Sequence, residues 1–184
     1  MSVLLRPPRL DGWTWLPLVS GIAVVEALGE LDAPGLSLKW PNDVLCPRGK
    51  LAGLIADRVQ GSASGCPPAF VLGVGLNLRP EGLPPGSASL AELGVGRSPA
   101  QVAHAVLGSL RRWVGTWATD SSAVRSAYEQ RCATLGHEVR VMLPGGDDIA
   151  GRAVALDEDG RLVVSTPTGS VALAAGDVVH LRPR

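Results

Sequence analysis

The chain opens on a short apolar run, Ser2-Val3-Leu4-Leu5, that stops at Arg6-Pro7-Pro8. Proline fixes φ and has no N–H to give a ladder, so a strand ended by prolines is predicted. Across 15–31, Leu18, Ile22, Val25 and Leu28 recur at helical spacing and Pro17 suits a first turn, which reads as a largely buried helix. Residues 36–40 alternate into Pro41 as a further strand, with Trp40 pushed towards an extended conformation and Asn42 and Asp43 in the turn that follows. The apolar runs 50–59 and 70–78 flank a Gly/Ser/Pro-rich connector at 60–68 and are expected to pair as neighbouring strands.

Ser98-Pro99-Ala100-Gln101 has the form of a capping box with proline at the first helical position, and Val102, Val106, Leu110, Trp113 and Trp117 then mark one helical face. Asp120 is placed to cap a third helix, with Val124, Tyr128, Cys132 and Leu135 on one face and Gly136 as its stop. Beyond Gly136 the period changes. Short runs at 138–143, 149–155, 161–166, 170–174 and 178–182 alternate with turn signals, which predicts a small barrel and a domain boundary at Gly136, dividing 1–135 from 136–184.

The 184 residues are 46% hydrophobic and 18% charged, the balance of a packed globular chain. Basic and acidic residues number 17 each, so no global field favours a polyanion, and DNA is not an expected partner. No apolar run reaches the roughly 18 residues that a membrane span needs, and no signal-peptide pattern precedes the first strand, so a cytoplasmic protein is expected. Cys46, Cys66 and Cys132 are irregularly spaced without a CxxC pair, and His104, His137 and His180 lie far apart in sequence, which suggests neither a disulfide framework nor a zinc site. Lysine occurs only at Lys39 and Lys50, and asparagine only at Asn42 and Asn77, in a chain that otherwise uses arginine as its base. An ammonium is a compact charge on a flexible stem, which a guanidinium is not.

Those rare residues sit in the segments that carry chemistry. A lysine beside Gly49 and Leu51-Ala52-Gly53, facing an Asn-Asp turn, can bring a cation and a carboxylate to one polyanionic group. Attack of a carboxylate on the α-phosphate of ATP gathers negative charge that a preorganised cation stabilises, and Lys50 is the candidate. Asp43 offers a hard oxygen for Mg²⁺, and Asn42 a hydrogen bond to nucleotide or phosphate, although an Asx turn after proline is the plainer use of both. Gly73-Val74-Gly75 lacks the third glycine of a dinucleotide fingerprint. Lys39 is read as supporting the turn, and Trp13, Trp15, Trp40, Trp113 and Trp117 as packing.

The segments Leu38-Lys39-Trp40-Pro41-Asn42-Asp43-Val44-Leu45, Gly49-Lys50-Leu51-Ala52-Gly53-Leu54-Ile55 and Val71-Leu72-Gly73-Val74-Gly75-Leu76-Asn77-Leu78 resemble the biotin protein ligases in order, spacing and type. Gly176-Asp177-Val178-Val179-His180-Leu181 is similar to the closing strand of that family's C-terminal barrel, so the likeness covers essentially the whole chain. The resemblance implies an α+β fold: a mixed or antiparallel sheet packed with helices, an incomplete class II synthetase-like ligase core, followed by a small SH3-like β-barrel. It implies an ATP-dependent enzyme that activates biotin as biotinyl-5′-AMP and transfers it to a lysine of the biotin carboxyl carrier domain of acetyl-CoA or acyl-CoA carboxylase. By the same resemblance Lys50 contacts the biotin carboxylate and the phosphate, and Gly53, Gly73 and Gly75 form the floor of the biotin pocket, with Ile55 as an apolar wall. Asn77 reaches the adenine, and Asn42, Asp43 and Lys50 complete the ATP and Mg²⁺ contacts.

The family's Ser-Thr-Asn substrate contact and Gly-Arg-Gly-Arg-x-Gly-Arg loop, and the helix-turn-helix of some members, do not occur in these residues. The expectation is therefore an N-terminally shortened form that alone makes biotinyl-adenylate poorly, since the loop shields the mixed anhydride. Two other readings compete: a lipoate-type ligase, which needs a long apolar slot instead of a glycine floor, and a non-catalytic module that captures biotin or a carrier domain.

Overall fold

The computed structural model describes residues 1–6, 12–59 and 69–181. The proline stop at 7–8, the connector at 60–68 with Cys66, and residue 182 of the last predicted strand lie outside the described residues. Among the described residues there are two five-stranded antiparallel sheets, with helices packed on the first. No helix among them is long and apolar enough to cross a membrane.

The first sheet has the order β1 (Ser2–Leu5), β5 (Ala69–Leu76), β4 (Gly49–Val59), β3 (Asp43–Cys46), β2 (Ser37–Lys39). β4 and β5 are the expected neighbours, with Gly53 opposite Gly75 and Ile55 opposite Gly73. One face of this pair is apolar: Leu54, Leu72 and Val74 are buried in one core with Leu18, Ile22 and Leu28 of α1 (Leu16–Gly29). Each such side chain removed from water contributes about 1.5–3 kcal/mol, which is why the alternation, once started, fixes the face. α1 lies so close to β2 that a Cβ on Gly21 would stand 2.9 Å from Leu38 Cδ2.

The second helix, α2 (Pro99–Thr119), begins at the full capping box: Gln101 N–H donates to Ser98 Oγ at 3.3 Å, and Ser98 N–H donates to Gln101 Oε1 at 2.9 Å. Val102, Val106, Leu110 and Trp117 are buried along it, and Trp113 Nε1 donates to Glu26 Oε2 on α1 at 2.8 Å. The second sheet has the order β10 (Asp177–His180), β6 (Glu138–Met142), β7 (Asp148–Leu156), β8 (Leu162–Thr166), β9 (Gly169–Leu173) and buries Val139, Val141, Leu162, Val164 and Val178. The α+β class holds for this arrangement.

Two expectations are corrected. Asp43 is not in a turn but opens β3, where Asp43–Cys46 alternates half-buried and buried positions and pairs back on β2, Asp43 facing Lys39. The third helix, α3 (Ser121–Glu129), ends well short of Gly136 because the next residues pair with β2 instead. Leu38 N–H donates to the Arg131 carbonyl at 2.8 Å, and Ala133 N–H to the Leu38 carbonyl at 2.7 Å. That edge pairing takes up backbone groups that a longer helix would have bonded internally. His137 and His180, distant in sequence, also stack with ring centroids 5.7 Å apart, because β10 closes beside the start of β6.

Candidate functional site

Lys50 owes its direction to a register slip. Val44 faces Ala52 across the β3–β4 ladder, but Leu45 faces Lys50, so Leu51 is one residue too many. The consecutive Leu51 and Ala52 are both buried, at 0% and 2% exposure, and strand alternation is reversed there. A bulge of this kind re-aims a side chain, and it brings Lys50 to the face of Gly53 and Asp43. Lys50 Nζ stands 2.6 Å from Asp43 Oδ1.

The main chain of Lys50 is held from the other side by the segment around Ser87. Lys50 N–H donates to the Gly86 carbonyl at 2.9 Å, and Ala88 N–H donates to the Lys50 carbonyl at 2.9 Å. Asn77 completes this strap: its Nδ2 donates to the Lys50 carbonyl at 3.2 Å and to the Ala88 carbonyl at 3.0 Å. Gly49, at φ 141, is needed beside it, since a Cβ there would collide with the Gly86 carbonyl oxygen. No periodic pattern announces this strap, although the Pro/Gly-rich run from Pro80 to Gly86 signals a turn that returns to the sheet.

Asn42 is tied into the same sheet. Its Nδ2 donates to the Leu54 carbonyl at 2.9 Å, and Leu54 N–H donates back to the Asn42 carbonyl at 2.9 Å. This reciprocal pair fixes the exit of the Trp40-Pro41 turn into β3.

Beside Lys50 the sheet face is bare. Gly53, Gly73 and Gly75 have no left-handed φ, so the backbone does not require glycine at any of them. Nor does crowding: a Cβ would meet Lys50 Cε and Nζ at 3.5 Å from Gly53, Ile55 Cβ at 3.9 Å from Gly73, and the Gly53 carbonyl at 3.7 Å from Gly75, all ordinary contacts. What these glycines achieve is an empty face. Asn42, Lys50, Gly53, Ile55, Gly73 and Gly75 line one open cavity of about 430 Å³ there. Ile55 is 60% exposed at its edge, an apolar side chain with room to cover something.

Of the residues singled out from sequence, the fold thus brings together Lys50, Asp43, Asn42, Gly53, Ile55, Gly73 and Gly75. Asn77 lies outside the cavity lining and stands behind the Lys50 main chain. Lys39 turns away from it, to Asp177 Oδ1 of β10 at 3.4 Å. Trp40 is core, at 1% exposure, and Trp13 stacks on Phe70 at 5.8 Å.

Among the described residues no group of three or more His, Cys, Asp or Glu side chains could hold a metal by itself. A single carboxylate suits Mg²⁺ where phosphates and water supply the other ligands. Asp43 fits that limited role: its side chain is 13% exposed, and its buried Oδ1 accepts no hydrogen bond of standard geometry, the Lys50 ammonium being the charge that faces it. Chemically, the arrangement offers a cation backed by a carboxylate, set at the rim of a flat backbone floor with one apolar wall. It can hold a flat, mostly apolar molecule by its floor and an anionic group by its rim.

Residues 134–181 match the family described as Biotin protein ligase C terminal domain. A biotin–acetyl-CoA-carboxylase ligase of Mycobacterium tuberculosis (strain ATCC 25618 / H37Rv) is 40% identical over 179 residues, 94% of this chain and 65% of the relative. The chain therefore spans less than two-thirds of that relative's length. A ligase of the same description from Paracoccus denitrificans is 30% identical, over 89% of this chain and 71% of its own length. The solved biotin protein ligase from Aquifex aeolicus in complex with biotin and ATP matches with a TM-score of 0.79 at 28% identity, over 99% of this chain and 77% of that one.

Proposed function

The chain belongs to the biotin protein ligases, and from that premise we propose that it takes part in ATP-dependent attachment of biotin to a carrier protein. The biotin carboxylate attacks the α-phosphorus of ATP and expels pyrophosphate, giving biotinyl-5′-AMP. A lysine amine of the biotin carboxyl carrier domain of acetyl-CoA carboxylase then attacks the acyl carbon and expels AMP, leaving an amide. The observation that carries this reading is the position of the Lys50 ammonium at the edge of the glycine floor.

Each residue has a part in the proposal. The bicyclic ring of biotin lies on the backbone of Gly53, Gly73 and Gly75 with Ile55 against it. Lys50 meets the carboxylate of biotin and then the α-phosphate, where its charge counts most as negative charge builds in the transition state. Asp43 holds Lys50 in line and would be the carboxylate that holds the Mg²⁺ accompanying ATP, an ion that would supply charge neutralisation at the phosphates. Asn42 lies towards the phosphates. Asn77, with its Nδ2 committed to two carbonyls, keeps its amide oxygen as the acceptor for the adenine amino group. The proposal also divides the chain near Gly136 into a ligase core and a barrel that meets the carrier, in a cytoplasmic protein that does not bind DNA.

Calorimetric titration of biotin and of lipoate onto the chain tests this without requiring the family's Gly/Arg-rich loop. Biotin should bind and lipoate should not, and Lys50→Ala should abolish binding. Tight lipoate binding, or biotin binding indifferent to Lys50→Ala, overturns the reading. Transfer of labelled biotin to a carrier domain with ATP and Mg²⁺, in protein supplied with that loop, separates a ligase from a module that only captures biotin.

A further inference from the structure

We propose that Thr134 is a positioning residue for the Asn42–Asp43 end of the site, acting through the main chain of Trp40. Residues 131–134 run parallel to β2 and continue its ladder: Leu38 N–H donates to the Arg131 carbonyl, Ala133 N–H donates to the Leu38 carbonyl, and Cys132 bridges Leu38. At the next step the acceptor is no longer a carbonyl. Trp40 N–H donates to Thr134 Oγ1 at 3.1 Å, and both residues are buried, at 1% and 0% exposure. A threonine side chain therefore fixes the last backbone N–H before Pro41 and the Asn42-Asp43 segment.

The far end of Trp40 is held from the second sheet as well, since its indole Nε1 donates to the Gly160 carbonyl in the β7–β8 turn at 3.0 Å. Lys39, which faces Asp43 across the β2–β3 hairpin, ion-pairs with Asp177. Residues 39 and 40 are thus pinned at three points, one at Thr134 and two in the barrel at Gly160 and Asp177. Asn42 and Asp43 continue from them into the cavity side of β3, where Asp43 meets Lys50.

Behind Thr134 stands His180, with Nε2 at 3.3 Å from Thr134 Oγ1. A neutral imidazole can accept the Thr134 hydroxyl proton while the same oxygen accepts from Trp40; a protonated one cannot. The groups around His180 disfavour its charge. Partial burial, then His137 stacked on its ring, then the Lys39 ammonium hold it below the ordinary histidine range. Asp177 on its own strand is engaged with Lys39, and on β6 its partner Val139 is flanked by Glu138 and Arg140, both turned to solvent. Protonating His180 should therefore reach Trp40 through one oxygen atom.

The ligand arm of the test rests on the ligase reading; the spectroscopic arm does not. The Trp40 amide and the His180 ring are followed by NMR from about pH 8 to about pH 5, across the histidine range, in the chain and in Thr134→Val and Thr134→Ser. The amide and the ring should share one midpoint in the parent and in Thr134→Ser, and the amide should lose that titration in Thr134→Val. Biotin affinity should weaken about tenfold in Thr134→Val and stay within about twofold in Thr134→Ser, the scale of a small displacement of a binding group. A Trp40 amide that still follows His180 in Thr134→Val, or unchanged biotin affinity in that variant, overturns the proposal. If Thr134→Val does not fold, His180→Phe keeps an aromatic ring and removes both ring nitrogens, and survival of the same amide titration there overturns it equally. A parent chain that binds no biotin sinks the ligase reading and leaves the amide titration to decide on Thr134.

Discussion

Lys50 Nζ and Asp43 Oδ1 are 2.6 Å apart, yet the lysine side chain is 47% exposed and the aspartate 13%. That difference decides which partner depends on the other. Without Lys50, a carboxylate mostly withdrawn from water is left unpaired, at a cost of about 1–3 kcal/mol. Without the Asp43 charge, the ammonium returns to water, and loss of a half-exposed pair costs about 1 kcal/mol at most. Lys50→Met should therefore lower stability to chemical denaturation more than Asp43→Asn does. Equal losses would mean that the pair is held by something other than burial of the carboxylate.

The glycine floor makes a separation of stability from binding. Gly73 and Gly75 sit in extended backbone with space for a Cβ, and a β-branched residue suits a strand better than glycine does. Gly73→Val and Gly75→Val should melt at or above the temperature of the parent, because nothing in the fold opposes the new side chain. Both should lose biotin binding in calorimetry, because the face on which the ring would lie is then occupied. A variant with parental melting and parental affinity would leave the floor without a role.

What the sequence made legible depended on period and on punctuation. The β4–β5 pair, the capped α2 and the strand-and-turn rhythm after Gly136 all followed from local pattern. Asp43 did not, because a four-residue strand straight after Pro41 offers too few positions for an alternation to stand out. The end of α3 was hidden for another reason: Cys132 and Leu135 keep helical spacing, but the edge of β2 competes for the backbone at 131–133, and that competitor lies far away in sequence. Most of the site residues could be picked out by rarity and by glycine neighbours. Their meeting was expected as well, but its means was not, since the slip at Leu51 that turns Lys50 towards Asp43 is visible only in the ladder.

The joint between α1 and α2 predicts an acid limit. Burial alone would raise the Glu26 carboxyl, but hydrogen bonds from Arg112, Trp113 and Ser109 and the Arg112 charge outweigh it and hold the group below its ordinary value of 4.5. A carboxyl depressed on folding adds stability above its unfolded pKa, and loses it as pH falls through the folded value. Glu26→Gln should therefore be less stable than the parent near neutral pH, and the two should converge as pH drops below about 4, the ordinary carboxylate range. Denaturation midpoints measured across that range check this, and a difference that stays constant with pH rules out the ion pair as its source.

Gly160 joins the sheets through both its conformation and its carbonyl. It has φ 76, a Cβ on it would lie 2.8 Å from Leu18 Cδ1 and 3.2 Å from Trp15 Cε2, and its carbonyl accepts from Trp40 Nε1. The turn that carries it is further held by Arg125, whose guanidinium donates to the Leu156 and Asp157 carbonyls at 2.8 and 2.9 Å, and by Trp15 Nε1 on the Glu158 carbonyl at 2.8 Å. Gly160→Ala would incur the left-handed penalty of about 1–2 kcal/mol and an overpacking cost of about 1–3 kcal/mol. A surface turn would relieve both by moving, but this one can move only by leaving the core. The expected result is a stability loss within the sum of those ranges, together with red-shifted fluorescence from Trp15 and Trp40 under native conditions as water reaches the joint. If Gly160→Ala matches the parent in both measurements, the β7–β8 turn does not hold the barrel to the core, and the pinning of Trp40 must rest on Thr134 and Lys39.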